Sequence, residues 1–160
     1  MPRPLLFLDV DGPLIPFGAS RPYPAYPPYD DTNPLLDRVD PAHGPRLVGL
    51  GCDLVWATTW MNDANDCIAP RLGLPALPVV DWPDPTGDEP LGIHWKTPTL
   101  VAHAAARPFL WLDDELTDAD RIWVDSHHPG HALLHRVDPA QGLAESDYKT
   151  ISDWLGRSSW

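Results

Sequence analysis

Apolar residues occur in this chain as short blocks separated by polar, proline-rich stretches. The first block, residues 5–10 (LLFLDV), is almost wholly apolar and stops at Asp11-Gly12. A run that short, bounded by a turn signal, predicts a buried strand feeding a tight loop. Similar blocks predict strands at 53–57, 76–80, 109–112 (FLWL) and 132–137. Between them the spacing predicts helices over 35–50, 60–72 and 94–106, a short helical turn opened by Thr117 or Asp118, and a final helix over 145–155. Two of the strands are apolar on both alternating faces until their last residues. Strands of that kind belong to parallel sheets covered on both sides by helices. The expected fold is therefore α/β: a Rossmann-like three-layer sandwich with a mainly parallel central sheet of about five strands.

Residues 13–34 break the pattern. They contain seven prolines together with Tyr23, Tyr26 and Tyr29. That proline density excludes a helix interior or a central strand. The stretch reads as a stiff loop whose aromatics want a surface, and a packed surface loop is favoured over a lid or stacking platform. No boundary divides the chain, so 1–160 is read as one domain.

Composition adds three constraints. Proline is 21 of 160 residues, tryptophan is 8, and 23 acids against 11 bases give a formal charge of −12. Such acidity disfavours nucleic acid and anionic membranes at long range, but acid gathered at one point wants a divalent cation. Cys52 and Cys67 fit neither a zinc pattern nor a C-x-x-C pair and read as reduced thiols. No segment is long and apolar enough to span a bilayer, and the first residues lack the features of a signal peptide. A cytoplasmic location is the default expectation.

The chemistry should lie where parallel strands end, because ligands bind at the carboxyl edge of such sheets. Asp9, Asp11 and Gly12 end the first predicted strand, Thr58 and Thr59 the second, and Asp113 and Asp114 the fourth. If these strands are neighbours, four carboxylates converge, and Mg²⁺ with phosphate oxygens would relieve their repulsion. Lys96, one of two lysines, opens a helix and could reach the same edge. The set suits phosphoryl transfer: a carboxylate nucleophile, a second carboxylate as acid and base, and cations on the phosphoryl oxygens.

Taken in order, FLDVDG, LVWATT, HWKT and FLWLDDE resemble the four motifs of the haloacid dehalogenase-like hydrolases. The resemblance spans residues 5–115. It implies Asp9 as nucleophile, Asp11 as acid/base, and Thr58, Lys96 and Gly12 on the phosphate. It also implies Mg²⁺ held by Asp9, Asp11 and Asp113 or Asp114, with Asp114 either a ligand or an orienting group. An acid at position 11 resembles the phosphatase branch rather than the carbon–halogen branch, while Pro13 departs from the small or aliphatic residue usual there. Neither gap where cap domains sit is long enough for one, which implies a capless protein. The details WATTW, HWKT and VDPAQGL are similar to capless members related to domains of RNA-repair proteins. Receiver domains use similar parts, but their acidic pair comes first and the phospho-acceptor in the middle, so motif order favours the hydrolase.

The expected activity is Mg²⁺-dependent phosphomonoester hydrolysis. The substrate would be a phosphorylated small molecule or a phosphorylated nucleic-acid end; a non-catalytic binding module is the other alternative. Other residues have plainer readings. Asp118 and Thr59 read as helix caps, and His127, His128 and His131 as a solvated loop. Trp56, Trp111 and Trp123 read as core, and Trp60 and Trp95 as either site-lining or packing residues.

Overall fold

The computed structural model describes residues 3–157. Four strands, β1 (Leu5–Leu8), β2 (Asp53–Trp56), β3 (Phe109–Asp113) and β4 (Ala132–Arg136), form one sheet in the order β2-β1-β3-β4. Every pair is parallel, with Leu5 facing Asp53 on one side and Phe109 on the other. Helices α1 (His43–Gly49), α2 (Ala69–Leu72), α3 (Thr97–Ala104), α4 (Asp118–His127) and α5 (Glu145–Arg157) complete the described fold. The α/β architecture is compatible with a Rossmann-like fold.

The alternation within β1 shows why both faces are covered. Leu6 and Leu8 join Leu110, Leu112, Leu47, Ile68 and Ile151 in one core cluster, placing α1, the α2 segment and α5 on that face. Leu5 and Phe7 join Phe109, Trp111, Leu100 and Val124 in the other, placing α3 and α4 opposite. The order of strands reverses beside β1: the chain steps outward to β2, then crosses back to β3. The carboxyl ends of β1 and β3 therefore flank the switch point, where an open parallel sheet leaves a crevice.

The third expected strand, at 76–80, is not formed as a strand. It is reduced to one bridge between Trp56 and Val79, held by Trp56 N–H to Pro78 O at 2.9 Å and Val80 N–H to Trp56 O at 3.0 Å. Pro75 and Pro78 have no N–H to give a ladder. The side chain of Asn65 also binds both backbone groups of Leu77, at 2.8 and 2.9 Å, in place of a neighbouring strand.

Three predicted helices also differ. The 35–50 segment splits at Pro41 into a 3₁₀ turn (Pro34–Arg38) and α1. The 60–72 segment begins only at Ala64, as a widened π-type turn (Ala64–Ile68), because Pro70 removes a helical donor just beyond it. Conversely, α4 runs for ten residues where only a short turn was expected, opened by a capping box between Thr117 and Asp120. Gly44 lets α1 close on α2: a Cβ there would sit 1.8 Å from the carbonyl oxygen of Leu72.

Candidate active site

The ends of β1 and β3 bring together three of the predicted carboxylates. Asp9, Asp113 and Asp114 each offer an oxygen, and these oxygens all lie within 4.8 Å of one another. Asp9 follows β1 directly and Asp113 ends β3; both are buried, so the sheet itself fixes them. The carboxylate of Asp11 stands outside this group, on the rim, where it accepts a hydrogen bond from Trp60 Nε1 at 3.1 Å. Asp11 lies at the start of the tight turn after β1 (Gly12 N–H to Ile15 O, 3.0 Å).

Lys96 supplies the only ammonium in the cluster. It is 3% exposed, and its Nζ lies 3.0 Å from Asp113 Oδ2, 3.3 Å from Asp9 Oδ1 and 3.0 Å from the carbonyl oxygen of Ala57. One cation thus serves two buried carboxylates, and the charge balance is uneven. Burial works against the charge on Lys96, but Asp9 and Asp113 outweigh it and raise its pKa. Asp9 is pushed up to about 8, first by burial and then by Asp113, although Lys96 and the N–H of Val10 pull the other way. Asp114 rises to about 6, again by burial and then by Asp113. The cluster is short of positive charge, and three oxygen donors on hard carboxylates fit a divalent cation such as Mg²⁺.

Gly12 sits between these parts. Its φ is +101°, and a Cβ would lie 2.8 Å from both Cβ and Cγ of Asp114. Only glycine combines that backbone with that approach. Thr58 is fully buried just past β2, where its Oγ1 accepts the Trp60 N–H at 3.2 Å. Thr59, expected as a cap, instead lines the pocket.

The pocket has a volume of about 440 Å³ and is bounded by Asp9, Asp11, Lys96, Asp114, Glu115, Thr59, Phe17 and Trp95. A larger groove of about 610 Å³ runs along β2 toward its start; its lining is largely apolar, and its charged residues Arg3, Asp53 and Arg107 pair with one another. The tyrosines of the proline loop do not border the carboxylate pocket. Tyr23 bonds Ala19 and Ala140, with Arg38 stacked on its ring, and Tyr26 reaches Asp40. The packed-loop reading fits Tyr23 and Tyr26 but not Tyr29, which is 65% exposed, and Phe17 is the loop's contribution to the pocket.

Asp120 is the residue that sequence reasoning missed. Fully buried, it accepts hydrogen bonds from His94 N–H (2.7 Å), Thr97 Oγ1 (2.8 Å), Thr117 N–H (3.0 Å) and Thr117 Oγ1 (3.0 Å). Burial alone would raise its pKa, but these donors lower it. Asp120 ties the segment carrying Lys96 to the start of α4, just after Asp113 and Asp114. Its signal was present as Thr-x-x-Asp at 117–120. Trp82 and Trp111 also escaped notice as positioning groups: their indole N–H groups donate to Thr58 O at 3.1 Å and Asp113 Oδ2 at 3.3 Å.

No family model, curated protein or solved structure matches this chain. The site must therefore be read from its own chemistry.

His94 adjoins the site, 3.5 Å from Glu115, whereas His127 and His128 fall elsewhere. His127 stacks on Trp123 at 3.9 Å, and His128 is buried against Phe109 with Nε2 2.9 Å from Arg107 O. His128 thus corrects the solvated-loop reading: the turn after α4 folds it inward. Asp118 is an exposed first-turn residue of α4, paired with Arg121. Trp56 and Trp111 are core, whereas Trp123 is only partly buried. Both cysteines are free, and burial pushes the Cys52 thiol up to about 11.

Proposed function

We propose that this chain is a capless, Mg²⁺-dependent phosphomonoester hydrolase that works through an aspartyl-phosphate on Asp9, as its four motifs suggest by their resemblance to the haloacid dehalogenase-like hydrolases. The observation that carries this reading is the buried Asp9–Lys96–Asp113 arrangement at the switch point, with Asp114 beside it and Asp11 at the mouth.

Asp9, Asp113 and Asp114 would hold the metal. When bound, Mg²⁺ supplies the positive charge that keeps Asp9 ionised beside Asp113 and offsets the charge on the phosphoryl oxygens. Asp9 attacks phosphorus: an Asp9 Oδ–P bond forms and the bond to the leaving oxygen breaks. Asp11, on the rim and oriented by Trp60, gives its proton to that oxygen, then removes a proton from the water that hydrolyses the acyl phosphate. Inorganic phosphate and the alcohol leave, and Asp9 is regenerated. The Thr58 hydroxyl and Lys96 Nζ bind phosphoryl oxygens.

The acidic rim of Asp11, Asp114 and Glu115 favours a small monophosphate over a nucleic-acid end, whose neighbouring phosphates would meet like charge. The test is hydrolysis of a generic aryl phosphate with and without Mg²⁺, native protein beside Asp9→Asn. Activity should need the metal and fall by about a thousandfold or more in the variant, in line with removal of a nucleophile. Equal rates for the two proteins would end the assignment of Asp9.

A further inference from the structure

Trp95 belongs to two cavities. It lines the carboxylate pocket and also a groove of about 490 Å³ formed with Pro83, Pro85, Pro90 and Pro98. The indole is 50% exposed although it adjoins the buried Lys96. It is nonetheless held in place: Trp82 packs on it edge-to-face at 5.0 Å, and His94 lies against it at 5.4 Å. An exposed but braced indole that lines both the reaction pocket and the groove is a preformed stacking surface.

The groove's chemistry restricts what can lie there. Proline rings and one indole give it an apolar floor, and its charged lining residues are Asp84 and Glu89. Glu89 is committed to the loop, accepting the N–H groups of Thr86 and Gly87. Neither cavity has an arginine among its described lining residues, and Lys96, the lysine present, is taken up by Asp9, Asp113 and the reacting phosphate. A second phosphate or a carboxylate on the leaving group would find no counter-charge.

We infer that the groove beside Trp95 is the leaving-group subsite, and that it takes a planar aromatic group, uncharged or cationic, attached to the reacting phosphate. This rests on the phosphomonoesterase reading and narrows its substrate to aromatic monophosphates carrying no other anionic group.

Binding of benzylphosphonate and cyclohexylmethylphosphonate, measured calorimetrically with Mg²⁺ present, tests it without turnover. The two ligands match in charge and approximate size and differ in ring planarity. The native protein should prefer the benzyl ligand by about tenfold, the scale of one ring stacked on an aromatic side chain. Trp95→Leu should collapse that ratio, and Trp95→Phe should keep most of it. Equal affinities in the native protein, an unchanged ratio in Trp95→Leu, or no binding of either ligand would overturn the subsite. Benzyl preference with no hydrolysis of benzyl phosphate would leave the subsite standing and remove the catalytic reading instead.

Discussion

Replacing Lys96 with Met keeps the length of the side chain and removes its charge. In the native protein the ammonium lies within 3.3 Å of both Asp9 and Asp113, and all three side chains are buried. Without it, two carboxylates face each other in a region of low polarity. Breaking a buried ion pair by deleting one partner costs about 3–5 kcal/mol. For a chain of this length that corresponds to a fall in Tm of about 6–20 °C, at about 2–4 °C per kcal/mol. The loss should depend on pH in a defined direction. Asp9 ionises at 3.8 when unconstrained but is held near 8 in the fold. Its proton therefore favours the folded state. That contribution is complete below pH 3.8 and is lost as pH rises through about 8. With Lys96 gone Asp9 holds its proton more tightly still, so stability should fall more steeply with pH than in the native protein. Thermal and urea unfolding of both proteins at pH 5 and pH 8, in chelator, would measure this. A penalty below about 1 kcal/mol at pH 8, or one of equal size at both pH values, would refute the argument that Lys96 holds the two carboxylates together.

Other expectations concern the parts around that cluster. Gly12→Ala puts a methyl group 2.8 Å from Asp114 on a backbone with φ near +101°; it should cost about 1–3 kcal/mol in denaturant unfolding and weaken divalent-ion binding. Asp114→Asn removes the charge of one of the three grouped carboxylates, so the Mg²⁺ concentration needed to raise Tm should increase by about tenfold or more, measured by thermal shift across a metal titration. Asp120→Ala leaves His94 N–H and Thr97 Oγ1 without their acceptor and cuts the tie between the Lys96 segment and α4; a loss of about 3 kcal/mol is expected, with faster hydrogen exchange at 94–97 than at the core strands. Retained protection there would show that Asp120 does not hold that segment.

The sheet was legible because β1 and β3 are apolar on both faces, and only burial between two helical layers satisfies such strands. The weaker strands show where pattern reading stops. Residues 76–80 have the composition of a strand, but whether they pair depends on Asn65, a residue on a different element that takes over the backbone of Leu77. Likewise, α4 is polar over most of its length, and that length follows from the Asp120 cap and from packing Val124 on the sheet. Pattern could place Pro41 and Pro70 but not say whether each would break, split or widen its helix.

The candidate site divides the same way. Sequence alone determined which acids end which strands, because an apolar run that stops at Asp-x-Asp or Asp-Asp must deliver those residues to a sheet edge. It also determined that Lys96 was chemically scarce in a chain of charge −12. Only the tertiary structure decided which groups meet. The strand order sets β1 beside β3, so Asp9 and Asp113 share one ammonium, while the turn at Gly12 swings Asp11 to the rim. The same folding places Trp95 between two cavities and buries Asp120 under the lysine segment. These are distances between residues far apart in the chain, fixed by how helices and strands pack, and no local pattern encodes them.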